Sequence, residues 1–250
     1  MVVEELEPLL AKEIERIAKK ANSRLQILGK DNLPAIGELK PEQVLAALAN
    51  LVNKKISPGI PNVLKSSTRF PQFCAGCPYW LVFGAVKKAV DAKKVVFGGD
   101  IGCYMLAGLP PHNLQDYLLC MGSSIGIGHG IKKALEKSGD QKLIAFVGDS
   151  TFIHAGIPAL INTVFNKSNP LIIILQNETT AMTGHQPHPA QKSVSIEKIV
   201  QACGVKNCRT INPVKQSEFI KTIQEFLNKK EVSVIIAKQA CLKANKNEQE

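Results

Sequence analysis

The spacing of apolar residues changes along the chain. Residues 4–21 carry Leu6, Leu9, Leu10, Ile14, Ile17, Ala18 and Ala21 at steps that suit one face of a helix. "KPEQVLAALANLVNKK" repeats that period and places Pro41 where a first helical turn tolerates a missing N–H. Between Lys55 and Phe73 the period is lost in "ISPGIPNVLKSSTRFPQF", whose Pro, Gly, Asn and Ser mark a boundary. Residues 1–66 are therefore expected to form a small helical extension with a linker. Residues 67–242 form the main domain, and 243–250, "KANKNEQE", a frayed polar tail.

Beyond Cys74 the pattern alternates. Helical spacing covers 79–92, about 123–137, about 154–167, 195–202 and 215–229. Between these lie short apolar runs: "KVVFGG", "KLIAFVG", "LIIILQ" and "VSVIIAK". Apolar strands separated by helices predict an α/β fold, a mostly parallel sheet with helices on both faces. In such sheets ligands collect beyond the carboxyl ends of the strands. Gly148-Asp149-Ser150 and Asn177 fall at two such ends.

Composition narrows the class. Hydrophobic residues make up 45% and charged residues 21%, as in ordinary globular chains. No apolar run is long enough to cross a bilayer, and the acidic, then amphipathic start does not read as a secretory signal. A cytoplasmic protein without a membrane partner is expected. The net charge of +10 comes almost wholly from lysine. No basic stripe is interleaved with aromatics, so no nucleic-acid partner is expected. A chain of this kind does not use its seven cysteines as a disulfide framework, which leaves metal or cluster ligation open.

An aspartate and an asparagine at neighbouring strand ends suit a hard divalent cation. Mg²⁺ takes oxygen ligands and shares its shell with ligand phosphates. Asp149 offers a charged oxygen, Asn177 an amide oxygen, and the Thr179 carbonyl a third. Gly148 and Ser150 are small enough for close approach. In "CMGSSIGIGHGI", Gly122, Ser123 and Ser124 open a helix whose N–H and hydroxyl groups could face phosphate. Alone, Cys74-x-x-Cys77 is a zinc half-site, a redox pair or nothing. Cys103 follows the strand end "GGDIG", and Cys241 follows the last strand. Four thiolates meeting at that edge would hold a [4Fe–4S] cluster. The loop "TTAMTGHQPHPA" is expected to cover the ligand. Its His185 and His188 serve packing or substrate contact. His154 is either a substrate or phosphate contact or a polar residue at a helix start. His112, His129, Cys120, Cys203 and Cys208 are read as structural, the three thiols as buried.

These features form a recognisable set. "GDS…QN", with 26 residues between Ser150 and Asn177, resembles the Gly-Asp-Gly…Asn thiamine diphosphate fingerprint. "CAGCPYW", "GDIGCYMLAGLPPH", "CMGSSIGIGHG", "GDSTFIHAGIPALINTVFNK" and "NETTAMTGHQPHPA" look like the thiamine diphosphate-binding domain of indolepyruvate:ferredoxin oxidoreductase alpha subunits. These belong to the 2-oxoacid:ferredoxin oxidoreductases, and the resemblance spans roughly residues 1–242. It implies thiamine diphosphate, Mg²⁺ and a [4Fe–4S] cluster as cofactors. The implied cofactor contacts are Gly102, Gly122, Ser123, Ser124, Gly148, Asp149, Ser150, Thr151, Asn177, Thr179, Ala181 and Met182. The implied metal sets are Asp149, Asn177 and Thr179 for Mg²⁺ and Cys74, Cys77, Cys103 and Cys241 for the cluster. The implied reaction is oxidative decarboxylation of an aryl-2-oxoacid such as indolepyruvate to an acyl-CoA, with electrons passed to ferredoxin.

Two parts of the resembled enzyme are missing from the sequence. The activating glutamate of a pyrimidine-binding domain has no counterpart, nor has a ferredoxin-like run of cysteines. Partner subunits are expected to bring both, and the chain alone is expected to be inactive, whether fragment or split subunit. A subunit of a non-oxidative thiamine-dependent decarboxylase, or a non-catalytic scaffold, are the alternative readings. Cys77-Pro78-Tyr79-Trp80 departs from the family's usual Cys-Pro-His at Tyr79, which leaves the pocket around Tyr79 and Trp80 open.

Overall fold

The computed structural model describes residues 1–55, 70–135, 141–191 and 193–244. Most of the expected linker and all but the first two residues of the expected tail lie outside the described residues, as does the end of the helix predicted to reach 137. The chain divides into two compact units, Met1–Ser67 and Thr68–Glu250.

In the first unit, α1 spans Leu9–Ala21 and α2 spans Pro41–Leu51. The periodic run from residue 4 is helical only from Leu9, because Leu6 turns through a φ of 52° and Pro8 stands at the N-cap. Glu4 closes the helix start instead. Its carboxylate accepts from the N–H groups of Leu10 at 2.8 Å and Ala11 at 2.9 Å. Those bonds, the one from Ala11 first, hold its pKa below the ordinary carboxylate range. The buried apolar residues here are Ala11, Ala18, Leu33, Ala47 and Ala49, while Leu9, Ile17, Ile36 and Leu45 are exposed.

The second unit is a five-stranded parallel sheet in the order β1-β2-β3-β5-β4. Its elements in chain order are α3 (Pro78–Ala89), β1 (Val95–Gly98), α4 (Ser123–Leu135), β2 (Lys142–Gly148), a single turn α5 (Asp149–Thr151) and α6 (Ile157–Phe165). There follow β3 (Leu171–Gln176), α7 (Ile196–Ala202), β4 (Asn207–Ile211), α8 (Gln216–Leu227) and β5 (Ser233–Lys238). The strand β4, "NCRTI", was not among the four expected. It is an edge strand, half-buried along most of its length, and carries no apolar run.

Alternation of side chains divides the strands between two cores. Ile144, Phe146, Ile173 and Leu175 pack with Phe83, Phe97 and Phe219 on the α3/α8 face. Leu143, Ala145, Val147, Ile172 and Ile174 pack with Ile125, Leu160 and Val200 on the α4/α6/α7 face. The free edge of β1 is covered by the chain at 116–117. Asp116 Oδ2 accepts from Phe97 N–H at 2.7 Å, and the Tyr117 carbonyl accepts from Gly99 N–H at 2.8 Å.

The helix expected to begin at residue 154 begins at the strand end. After α5 the backbone passes through a π-helical segment, Phe152–Gly156, before α6. Pro158 has no N–H to offer the carbonyl four residues back, which breaks the α-helical ladder at this point. No described helix is long and apolar enough to cross a membrane.

Candidate thiamine diphosphate and thiol site

The carboxyl ends of β1, β2, β3 and β5 deliver Asp100 and Cys103, Asp149, Asn177 and Cys241 to one rim of the sheet. Strands β2 and β3 pair directly, with Gly148 opposite Leu175, so Asp149 and Asn177 stand at adjacent ends. Asp149 is 3% exposed. Its Oδ1 accepts from Ser150 N–H at 2.9 Å and its Oδ2 from Glu178 N–H at 2.9 Å. The second bond ties the β2 end to the residue after Asn177, and Glu178 adopts a φ of 62° to make it. Asn177 Oδ1 accepts from Thr179 N–H at 3.2 Å. The Thr179 carbonyl accepts no hydrogen bond among the described residues.

A cavity of about 110 Å³ opens here. Its walls include Gly102, Gly148, Asp149, Ser150, Thr151, Asn177, Thr179, Ala181 and Met182, so nine of the twelve expected cofactor contacts surround one space. Gly148 has ordinary backbone angles. What requires glycine is Tyr104, whose ring carbon Cε1 would lie 2.9 Å from a Cβ at this position.

Gly122, Ser123 and Ser124 do not line this space, and their backbone N–H groups are engaged elsewhere, while the buried Ser124 hydroxyl has no partner among the described residues. Asp100, fully buried, accepts from Gly122 N–H at 2.8 Å and from Ser124 N–H at 3.1 Å. Ser123 N–H and Oγ–H both turn to the Cys120 carbonyl. The loop instead presents Met121 to the cavity. Asp100 had not been singled out, although "VVFGGD" repeats the strand-glycine-aspartate pattern of "AFVGD".

A second cavity of about 310 Å³ adjoins the first, and Cys74, Cys77, Cys103 and Cys241 all line it. Each comes from a different local device. Cys77 N–H bonds to the Cys74 carbonyl at 3.1 Å, and Pro78 then starts α3. Trp80 donates its indole N–H to the same Cys74 carbonyl at 3.2 Å. Cys103 opens the 3-10 turn Cys103–Gly108. Cys241 N–H donates to the Asn177 carbonyl at 3.0 Å, so one residue anchors both sites. Burial pushes the Cys77 thiol up to about 11, and Cys241, Cys74 and Cys103 add to the rise. Burial also raises the Cys103 thiol, followed by Cys241 and Cys74. No group of three His, Cys, Asp or Glu side chains among the described residues is arranged around a single metal ion.

The two cavities share Tyr79, Gly102, Cys103, Asn177, Ala181 and Met182. The covering loop closes on itself through Thr180 and Gln186. His185 lines the thiol cavity, and the buried His188 puts Nε2 3.3 Å from Asp149 Oδ2. His154 is exposed and lines neither cavity. Cys120, expected to be buried, is exposed. His129 Nδ1 meets Ser168 Oγ at 2.8 Å, and His112 sits among the rings of Phe73, Trp80 and Phe83.

Comparison with known proteins places this geometry. Residues 100–237 match the family "Thiamine pyrophosphate enzyme, C-terminal TPP binding domain". Indolepyruvate oxidoreductase subunit IorA of Methanothermobacter thermautotrophicus is 38% identical over 97% of this chain and 41% of its own length. The subunit of the same name from Pyrococcus horikoshii is 34% identical over 96% of this chain and 41% of its own. The chain therefore spans less than half the length of these relatives. Among solved structures, 2-oxoglutarate:ferredoxin oxidoreductase from Magnetococcus marinus, determined with 2-oxoglutarate, coenzyme A and succinyl-CoA, superposes with a TM-score of 0.60. That match has 14% identity and covers 76% of this chain and 75% of that one, a likeness of fold.

Proposed function

Because the chain belongs to the thiamine pyrophosphate enzyme family, through its C-terminal TPP binding domain, and resembles the IorA subunits, we propose that it is the coenzyme-binding component of a 2-oxoacid:ferredoxin oxidoreductase. Asp149, Asn177 and the Thr179 carbonyl would hold Mg²⁺, and through it the diphosphate of thiamine diphosphate. The donor set fits that group: one charged and two neutral oxygens, with an unengaged carbonyl among them. The cavity of about 110 Å³ suits the phosphorylated end of the coenzyme rather than all of it. Cys74, Cys77, Cys103 and Cys241 would hold a [4Fe–4S] cluster, whose iron would take the thiols as thiolates.

The observation that carries the reading is the shared wall between the two cavities. A coenzyme that makes the carbon next to a departing carboxylate electron-rich needs an acceptor close by, and thiamine diphosphate supplies that chemistry when bound. This chain's residues would bind and orient the coenzyme, keep water from the buried Asp149 end, and hold the acceptor next to it. The overall reaction is the oxidative decarboxylation of an aryl-2-oxoacid, indolepyruvate by analogy with the relatives' name, to CO₂ and an acyl-CoA. Two electrons leave one at a time to ferredoxin. Partner polypeptides would supply the pyrimidine-binding domain and the onward clusters, and the complex would work in the cytoplasm.

The test is anaerobic purification with the partner subunits. The preparation should contain about four iron atoms for this site, lost on Cys77→Ser. Calorimetric titration should show Mg²⁺-dependent thiamine diphosphate binding that is abolished by Asp149→Ala. Full affinity in that variant, or iron retained without the cysteines, would refute the assignment.

A further inference from the structure

The chain has three tyrosines. Two have satisfied hydroxyls: Tyr104 donates to the Ile101 carbonyl at 3.0 Å and Tyr117 to the Ser124 carbonyl at 2.8 Å. The third, Tyr79, is 5% exposed, and its hydroxyl makes no hydrogen bond among the described residues. Its ring is held edge-on by Phe73 at 5.7 Å and by Tyr104 at 6.2 Å. Tyr79 lines both cavities.

Resting on the reading of the site given above, we propose that the Tyr79 hydroxyl donates a hydrogen bond to an oxygen of the substrate's 2-oxoacid head, where the coenzyme and thiol cavities join. The surrounding packing fixes the ring, so little freedom is lost when the bond forms. A phenol is a neutral donor near neutral pH, and a neutral donor can meet an anionic substrate without adding a charge that Asp149 or the thiolates would capture. Tyr79 stands in the wall of both cavities, whereas Tyr104 lines the coenzyme cavity alone.

The experiment uses the complex of this chain with its partner subunits and indolepyruvate as probe. Tyr79→Phe should lower kcat/KM about 10- to 100-fold, the range expected for losing one hydrogen bond to a charged group. Iron content and thiamine diphosphate affinity should stay within twofold of wild type, and Tyr79→His should recover part of the loss. In chain labelled with ζ-¹³C-tyrosine, indolepyruvate should shift the resonance absent from Tyr79→Phe and leave those of Tyr104 and Tyr117 in place. A kcat/KM within twofold of wild type overturns the proposal. So does a loss matched by falling iron or coenzyme affinity, which marks a structural role. A shifted cluster potential with unchanged kcat/KM would instead turn the hydroxyl toward the sulfurs. Wild-type complex that binds coenzyme and iron but turns over neither indolepyruvate, phenylpyruvate, pyruvate nor 2-oxoglutarate also refutes it. Wild-type complex lacking both iron and coenzyme affinity refutes the site reading itself, a failure visible before any substitution is made.

Discussion

Asp100→Ala removes a fully buried carboxylate that joins two loops. Its Oδ1 accepts from Ile101 N–H at 2.7 Å and Gly122 N–H at 2.8 Å, and its Oδ2 from Ser124 N–H at 3.1 Å. Alanine leaves Gly122 and Ser124 N–H without a partner at the start of α4, where no helical carbonyl can replace it. Each orphaned buried donor costs about 1–3 kcal/mol, so the two together cost roughly 4 kcal/mol. Asp100→Asn keeps the Oδ1 bonds but aims an amide at Ser124 N–H. It should cost roughly 2 kcal/mol by the same reckoning. Urea unfolding followed by far-ultraviolet circular dichroism reads both. With a slope of about 2 kcal/mol per molar, alanine should lower the midpoint by about 2 M and asparagine by about 1 M. Amide exchange at Gly122 and Ser124 should quicken in the same order. An alanine variant within about 1 kcal/mol of wild type, or an asparagine variant weaker than alanine, would show that the three bonds do not hold the loops.

Three further outcomes are expected. Asn177→Ala should weaken Mg²⁺-dependent thiamine diphosphate binding by about 10- to 100-fold in calorimetry, as losing one bond to a charged group predicts, while unfolding stays cooperative. Burial holds the Cys208 thiol up at about 11, and Glu197 adds to the rise. The folded state therefore keeps the proton longer than the unfolded chain, whose thiol titrates near 9.0. That contribution to stability is complete below pH 9, is lost as pH rises toward 11, and can be read from melting curves across that window. In native protein at pH 8, iodoacetamide should modify the exposed Cys120 well before Cys208. Gly98→Ala should destabilise by about 1–3 kcal/mol in thermal melts, because a Cβ there overlaps the Tyr117 ring that covers the edge of β1. Equal melting temperatures would mean that this ring moves aside freely.

The local pattern of the chain settles a good deal. Apolar runs such as "LIIILQ", short, rich in β-branched residues and bounded by helical spacing, read as strands buried on both faces, and in a parallel sheet their carboxyl ends lie on one side. Asp149 and Asn177 were therefore legible as neighbours before any coordinates, since both follow such runs directly. The fourth cysteine was legible for the same reason. Less was visible where the signal is not periodic. The strand β4 escaped because an edge strand need not be apolar, and "NCRTI" alternates too briefly to stand out.

Tertiary structure alone decided which donors are free. Gly122 and Ser124 have the residue types of an anion-binding turn, and only the position of Asp100 at the end of β1 shows that their N–H groups are already bound. Gly148 has the residue type of a close phosphate approach, yet the Tyr104 ring is what fills its side-chain space. Tyr79 looked like an isolated departure from a motif. Its place in the wall between two cavities depends on β1, β2, β3 and β5 ending side by side, with Cys241 hung on the carbonyl of Asn177. Sequence fixes which groups a segment can offer, because that depends on near neighbours and on the period of burial. Whether a group is spent or available depends on residues far along the chain, and only the packed sheet brings those together.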